Sequence, residues 1–295
     1  MRQFSPREIN WLKKWEVYET SQIKKYGEMP VEYITGWAEF YGREFEVNQN
    51  VLIPRIETEQ LVDEAVKILT SKIDSHAPPK TGLGMTKTIA DIGTGCGCIG
   101  ITLYLELVKL GIKPTIYISD ISERVLDVAA KNMLSLRAEG RQTSRSAAIP
   151  SGELDCHVAN APRNDSDNFQ IRLIKSNLFN SYPKDLKFDL IVANLPYIPS
   201  ARIPKLPKSV KDFEPLLALD GGPNGLKLIN KLIAQSKSRL KLSGVLLLEI
   251  DENHRIKDLL LPKKFRVKII RDQFGKNRFL RVSKREIKGR LSRLT

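Results

Sequence analysis

The sequence is poor in residues that bind metals or form disulfides, and it has no long apolar run. Its 295 residues include three cysteines and three histidines, whereas a structural zinc site needs four such ligands at short spacing. Cys96 and Cys98 have no second cysteine or histidine pair to complete a site, so we predict reduced thiols and no metal. The longest apolar stretch, residues 245–250, has the length of a strand, whereas a membrane helix needs about 20 residues. We therefore predict neither a disulfide framework nor membrane association.

Positive charge is unevenly distributed along the chain. The net charge is +14, and residues 252–295 contain 15 Lys and Arg against 4 Asp and Glu. A basic domain often binds nucleic acid, but here the excess stands at one end of the chain. A solvated basic face and a surface that docks a partner are both compatible with it. We predict that nucleic acid is not required for function.

The chain divides into three regions by composition and periodicity. Residues 1–30 form a short N-terminal helical element, because SPRE at residues 5–8 has the form of a capping box with proline at the first helical position. Residues 31–84 combine a β-type segment, a helix and a Pro/Gly-rich linker. Residues 85–295 form the main domain. Within it, residues 137–168 are polar and without periodicity, which predicts a surface insertion.

Strand and helix signals alternate through the main domain. This alternation predicts a parallel sheet with right-handed crossovers and helices on both faces. The connection between the last two strands is too short for a crossover, so the last strand should run antiparallel to its neighbour. We therefore predict an α/β fold, a seven-stranded, mostly parallel, doubly wound sheet with an antiparallel last strand. The predicted strands are TKTIAD, TIYIS, IRLIK, FDLIVA, GVLLLEI, FRVKII and RFLRVS.

A glycine-rich loop, DIGTGCGCIG at residues 91–100, follows the first strand of this sheet. Glycines let the backbone approach a ligand closely, and the helix that follows offers N–H groups to an anion. Its second half, GCGCIG, matches the dinucleotide fingerprint, and Asp120 after the second strand could bind a ribose. Asp91 instead favours a ligand with an ammonium group, such as S-adenosylmethionine. The loop alone leaves both ligands open.

The strand FDLIVA ends abruptly at Asn194-Leu195-Pro196-Tyr197, the end at which ligands of open α/β sheets bind. This ending resembles the [Asn/Asp]-Pro-Pro-Tyr motif of methyltransferases that act on amide or amino nitrogens. The lone pair of an amide nitrogen is delocalised. Carbonyl groups of Asn194 and of the turn can accept its N–H bonds and hold the lone pair toward a methyl donor. Tyr197 can pack against the planar target, and Pro196 stiffens the turn.

Most of the chain closely resembles the HemK-type family, the protein-(glutamine-N5) methyltransferases of peptide-chain release factors. The resemblance is most specific in EFYGREFEVNQNVLIPRIETEQLV, ADIGTGCGCIG, FDLIVANLPYIP and FEPLLALDGGPNGL. It implies a class I methyltransferase fold with S-adenosyl-L-methionine as the cofactor. It also implies that the methyl group goes to the glutamine of the Gly-Gly-Gln motif in a class I release factor.

The resemblance further implies roles for individual residues. Asp120 would hold the ribose hydroxyls of the cofactor, and Leu178 would lie near its adenine. The residues at the methionine end of the cofactor would be Asp91, Ile92, Gly93, Thr94 and Gly95, with Asn194 close by. The residues that receive the glutamine would be Asn194, Leu195, Pro196 and Tyr197, of which Asn194, Pro196 and Tyr197 would be catalytic.

The sequence departs from the family pattern at several positions. Leu195 stands where the family usually has proline, which predicts a looser turn with its backbone carbonyl retained. Asn177 replaces a common acid beside the expected adenine site, and Ile56 replaces a usual proline.

Two other functions stay open. A nucleic-acid amino-methyltransferase acting on adenine N6 or cytosine N4 shares the logic of the Asn194 turn, and a non-catalytic binder would keep the fold. For the enzyme's compartment we expect a mitochondrial location, with a cytoplasmic location as the alternative.

Overall fold

The computed structural model describes residues 3–17, 23–71, 86–142 and 170–284. Within these ranges the chain forms a two-stranded sheet and a seven-stranded sheet. None of the helices in the described ranges has the length and apolar character needed to cross a membrane.

Helices cover the N-terminal region and both faces of the large sheet. The predicted capping box is present, because Ser5 Oγ accepts from the N–H of Glu8 and the Glu8 carboxylate accepts from the N–H of Ser5. The helices are α1 (Pro6–Lys14), α2 (Val31–Thr35), α3 (Ile56–Thr70), α4 (Cys98–Lys109), α5 (Glu123–Gln142), α6 (Lys208–Lys211), α7 (Leu216–Leu219) and α8 (Lys227–Arg239), with 3-10 turns at Ile23–Tyr26, Ser200–Lys205 and Ile256–Asp258.

The small sheet is an antiparallel hairpin that precedes α3, and the large sheet carries the main domain. The strands of the hairpin are β1 (Trp37–Phe40) and β2 (Arg43–Glu46). Those of the large sheet are β3 (Thr86–Ile92), β4 (Lys113–Asp120), β5 (Ile171–Lys175), β6 (Phe188–Ala193), β7 (Leu240–Glu249), β8 (Phe265–Arg271) and β9 (Asn277–Lys284).

The order of the large sheet is β5-β4-β3-β6-β7-β9-β8. All pairs from β5 to β7 are parallel, and β9 runs antiparallel to both of its neighbours. The predicted α/β sheet with a reversed last strand is therefore confirmed. The hairpin between β8 and β9 inserts the last strand between β7 and β8, an order that the sequence pattern did not specify.

Each central strand contributes to two cores, because successive side chains point to opposite faces of the sheet. Ile89 and Leu190 pack with α3, α4 and α5 on one face. Their neighbours Ala90 and Ile191 pack with α8 on the other face. All four residues are completely buried, which explains why these strands are continuous apolar runs rather than alternating ones.

The strand order reverses between β3 and β6. From β3 the chain proceeds outward to β4 and β5, then returns to add β6 and β7 on the other side. Such a switch point leaves a crevice at the carboxyl ends of the two central strands. The glycine loop follows β3 and the Asn194 turn follows β6, so both meet at this crevice.

Helix α5 extends further than its apolar pattern indicates. It continues to Gln142, so residues 137–142, the beginning of the predicted insertion, are helical. The remainder of that insertion, residues 143–168, lies outside the described residues. The predicted division into three regions stays a prediction.

Candidate functional site

A cavity of about 420 Å³ opens at the carboxyl ends of β3, β4 and β6. Asp91 and Tyr197 are not on its wall, although both flank residues that are. The predicted site residues on the wall are Ile92, Gly93, Thr94, Gly95, Asp120, Leu178, Asn194, Leu195 and Pro196.

Asp91 is fully buried at the end of β3 and holds the glycine loop. Its Oδ2 accepts hydrogen bonds from Thr94 Oγ1 at 2.6 Å and from the N–H of Gly100 at 2.9 Å. Among the described residues, no group donates to its Oδ1. Burial raises the pKa of this carboxyl to about 7, because the lost hydration of the charged form outweighs the two hydrogen bonds.

The raised pKa of Asp91 predicts a stability contribution that falls as pH rises. The carboxyl titrates near 3.8 in the unfolded chain and near 7 in the folded chain. Between these values the folded state keeps a proton that the unfolded state has lost, so the free energy of unfolding decreases with pH. Asp91→Asn removes this titration. Urea denaturation at about pH 5 and about pH 8 should therefore show a smaller fall in the free energy of unfolding for the variant than for the wild type. Equal pH slopes for the two proteins would contradict the assignment.

Three N–H groups in the first half of the glycine loop are already used within the protein. Those of Gly93 and Thr94 both donate to Ser119 O, at 2.8 and 2.9 Å. That of Gly95 reaches the Asp120 carboxylate at 3.4 Å. A pyrophosphate needs such donors free, and the buried carboxyl group of Asp91 adds negative charge when it is ionised. The first half of the loop is therefore better suited to a cationic ligand than to a pyrophosphate.

Asp120 stands at the cavity wall where β4 ends. Its Oδ1 accepts from the N–H of Ser122 at 3.0 Å, and its Oδ2 is the partner of Gly95. Burial raises the pKa of Asp120 despite these bonds. The side chain is thus held in one orientation at the edge of the cavity.

Leu178 is buried on the far wall with a backbone φ of +54°. A left-handed conformation costs a residue other than glycine about 1–2 kcal/mol, and strain of this kind persists where the surroundings enforce it. Asn177 beside it also lines the cavity and accepts a 3.5 Å hydrogen bond from Lys231.

The Asn194 side chain belongs to a chain of hydrogen bonds. Its Nδ2 donates to Thr58 Oγ1 at 3.1 Å. Thr58 donates to Glu249 Oε2 at 2.7 Å, and the hydroxyl of Tyr197 donates to Glu249 Oε1 at 3.0 Å. Burial raises the pKa of Glu249. Helix α3 supplies Thr58, the turn supplies Asn194 and Tyr197, and β7 supplies Glu249. Three elements therefore meet at the cavity wall, on which Thr58 and Asn194 both lie.

Leu195 fills the space between the two loops of the site. Its side chain is 4% exposed, and a Cβ added to Gly93 would lie 2.9 Å from Leu195 Cδ2. The leucine that replaces the family's usual proline therefore packs directly over the glycine loop. The contact between the Leu195 side chain and Gly93 stabilises the turn. The sequence did not indicate this contact.

Residues 219–225, at the end of α7 and after it, pack against the backbone of the Asn194 turn. Ile198 N–H donates to Leu219 O, and Gly221 N–H donates back to Ile198 O, at 3.1 and 2.9 Å. Gly225 comes so close that an added Cβ would lie 2.1 Å from Tyr197 O. No hydrogen bond between described residues ends on the carbonyl of Leu195, which leaves that oxygen as an acceptor.

Arg55 and Glu214 form an ion pair beside the cavity. One guanidinium nitrogen, Nη2, contacts both carboxylate oxygens, at 2.5 and 2.7 Å. The neighbouring apolar side chains are exposed, with Ile56 at 57% and Leu217 at 64%. The mouth of the cavity is thus bounded by a fixed ion pair and by apolar surface.

Sequence reasoning missed the residues that support the site. Thr58, Glu249 and Glu214 all lie inside or beside stretches that the sequence singled out, but nothing local marks their roles. Thr58 and Glu249 are separated by 191 positions. Only an alignment of related sequences or a structure could have paired them.

The arrangement can bind and orient a substrate with N–H groups. An amide oxygen and a free backbone carbonyl stand at the same strand end, next to a loop suited to a cationic ligand. Carbonyl oxygens so placed accept N–H bonds and stabilise positive charge that develops on nitrogen. Among the described residues there is no cluster of histidine, cysteine or carboxylate side chains that could hold a metal ion.

No protein-family model matches the chain, but individual relatives do. A release factor glutamine methyltransferase of Leptospira interrogans is 34% identical over 267 residues, which are 89% of this chain and 78% of that protein. One of Rhodopirellula baltica is 32% identical over 229 residues, 77% of this chain and 64% of that protein. The chain thus spans slightly less than two thirds of the Rhodopirellula protein.

Solved structures are more distant. A ribosomal protein L11 methylase from Lactobacillus delbrueckii subsp. bulgaricus is 21% identical, with a TM-score of 0.47 over 81% of this chain and 84% of that chain. Because these structural matches are weak, the fold is assigned from the order and the directions of the strands. The sequence relatives are mostly bacterial, so they give the expected mitochondrial location no support, and the compartment stays a prediction.

Proposed function

The chain belongs to the release factor glutamine methyltransferase family, and on that premise we propose a specific reaction for it. It transfers a methyl group from S-adenosyl-L-methionine to the side-chain amide nitrogen (N5) of a glutamine. That glutamine is the one in the Gly-Gly-Gln motif of a class I peptide-chain release factor. The observation that carries the proposal is the position of Asn194, on the cavity wall beside a glycine loop in which the N–H groups of Gly93 and Thr94 are already paired.

The cavity suits S-adenosyl-L-methionine, which when bound supplies a methyl group activated on a positively charged sulfur. Asp120, whose carboxylate is held at the end of β4, would bind the ribose hydroxyls. Leu178 would bind the adenine, and the glycine loop would bind the methionine end. Asp91, whose Oδ1 accepts no hydrogen bond from the described residues, acts through the loop, which it holds by its bonds to Thr94 and Gly100.

Asn194 and the backbone of the turn orient the glutamine amide. The side-chain carbonyl of Asn194 and the free carbonyl of Leu195 accept its two N–H bonds. This fixes the plane of the amide and turns the nitrogen lone pair toward the methyl group. Asn194 is no general base, because a carboxamide takes up no proton at neutral pH. The methylated amide loses its proton to water afterwards.

A protein substrate is favoured by the surface around the cavity. The exposed side chains Ile56, Leu216 and Leu217 are apolar, and exposed apolar patches mark protein interaction sites. A nucleic-acid substrate, the alternative function, calls for basic side chains that are free to contact phosphate. Arg55 and Arg124 line the cavity, but the charge of Arg55 is neutralised by its ion pair with Glu214. The enzyme therefore acts on a protein loop that inserts its glutamine into the cavity.

A methyl-transfer assay with competing substrates tests the proposal. Labelled S-adenosyl-L-methionine is offered with purified release factor, with the same factor carrying alanine in place of the motif glutamine, and with tRNA or DNA. Label should enter only the release factor that carries the motif glutamine. Label in the nucleic acid, or in the alanine form, would contradict the assignment.

Asp120→Ala should weaken S-adenosyl-L-methionine binding by about 1–3 kcal/mol, the cost of a lost hydrogen bond to a charged group. Calorimetry measures the change directly. Asp127→Ala is the matched control, because Asp127 is an exposed carboxylate of α5 that does not line the cavity. Equal affinities of the two variants would show that Asp120 does not contact the cofactor.

A further inference from the structure

The carboxamide of Asn194 has two ends of similar shape and opposite hydrogen-bonding character. One end accepts hydrogen bonds and the other donates them. Only the accepting end can bind the N–H groups of a substrate amide. Whatever fixes the direction of this side chain therefore decides what the site can bind.

Thr58 determines that direction through its single proton. A hydroxyl donates one hydrogen bond and can accept others. Thr58 stands 2.7 Å from Glu249 Oε2 and 3.1 Å from Asn194 Nδ2. Thr58 donates to Glu249 Oε2, so its single proton is committed to Glu249. Towards Asn194 the hydroxyl then offers only lone pairs, and the Asn194 amide must present its N–H group.

Glu249 is held in place for this task. Its side chain is 1% exposed, and its second oxygen accepts from the hydroxyl of Tyr197 at 3.0 Å. Burial raises the pKa of Glu249, and the two hydroxyl bonds and the charge of Arg278 offset only part of this effect. A buried carboxylate with two hydroxyl donors is a rigid anchor, because each donor left unpaired would be costly.

We propose that Thr58, anchored by Glu249, is a positioning residue that keeps the carbonyl oxygen of Asn194 facing the cavity. The site thereby selects substrates that present N–H groups and disfavours groups that only accept hydrogen bonds. Thr58 also lines the cavity, but its hydroxyl is bonded to Glu249 and Asn194, so it acts through Asn194.

This inference rests on the proposed function for its effect on rate, but the orientation itself can be measured without any substrate. In protein labelled with 15N-asparagine, the Nδ2 protons of Asn194 are assigned by their loss in Asn194→Asp. A nuclear Overhauser effect from these protons to the Thr58 side chain is expected. Its absence would overturn the proposal, because the amide would then face the other way.

Kinetics test whether the orientation matters for methyl transfer. Thr58→Val keeps the shape of the side chain and removes the hydroxyl. It should lower kcat about tenfold or more while the KM for release factor changes by less than about threefold, because only the reacting amide is misplaced. Thr58→Ser, which restores the hydroxyl, should recover most of the rate. The matched control is Thr70→Val on the same helix, since among the described residues Thr70 bonds only to backbone carbonyls of its own helix.

The outcomes are distinguishable. A Thr58→Val enzyme with wild-type kcat would overturn the positioning role, as would a serine variant that is as slow as the valine variant. A wild-type protein that methylates no release factor would overturn the proposed function instead. The nuclear Overhauser effect would then decide the orientation by itself.

Discussion

Asn194→Ala should slow methyl transfer to the release factor by ~10²-fold or more, the usual effect of removing one positioned hydrogen bond in a transition state. The alanine can no longer accept an N–H bond of the glutamine amide, so the nitrogen lone pair is not held toward the methyl group. Binding of S-adenosyl-L-methionine should stay within a few-fold, because the glycine loop and Asp120 are untouched. Single-turnover methylation and calorimetry measure the two effects separately.

A matched control separates this role from a general effect of losing an asparagine. Asn180 is exposed in the turn after β5, where its side chain accepts a hydrogen bond from Gln235. Asn180→Ala should therefore methylate the release factor at the wild-type rate. If Asn194→Ala also reacts at the wild-type rate, Asn194 is only a residue that ends a strand, and the proposed mechanism is wrong.

Gly225→Ala should be the most damaging substitution outside the cavity wall. Gly225 has a φ of +74°, and an added Cβ would lie 2.1 Å from Tyr197 O and 3.0 Å from His254 Nε2. The backbone of the turn must then move away, and it carries Asn194 and the carbonyl of Leu195 with it. We expect a large loss of methyl transfer and a fall in the free energy of unfolding beyond the ~1–2 kcal/mol of the left-handed conformation alone.

Gly275→Ala isolates the conformational part of that loss. Gly275 has a φ of +77° in the turn between β8 and β9, and nothing lies within 4 Å of an added Cβ. This variant should lose only the ~1–2 kcal/mol of the backbone conformation and should methylate normally. Urea denaturation and the methylation assay compare the two variants. Equal losses of stability, with activity retained in both, would show that the contact of Gly225 with Tyr197 does not hold the turn.

Local patterns were sufficient for the fold class and for the direction of the last strand, but not for the order of the strands. Buried strands appear as apolar runs, and the short link between the last two strands requires them to be antiparallel. Asn194 and the glycine loop could also be placed at strand ends, because each directly follows its strand in sequence. The end of α5 could not be placed in this way, since its last residues are polar and give no periodic apolar signal.

By itself, the sequence determined the α/β class, the reversed last strand, the position of the Asn194 turn at a strand end and the resemblance to a methyltransferase family. Each of these depends on residues that are close together along the chain. The tertiary structure alone decided how the site is held. Thr58 meets Glu249 across 191 positions and Arg55 meets Glu214 across 159. Contacts between distant segments depend on how helices and strands pack in three dimensions, and a single sequence carries no local mark of them.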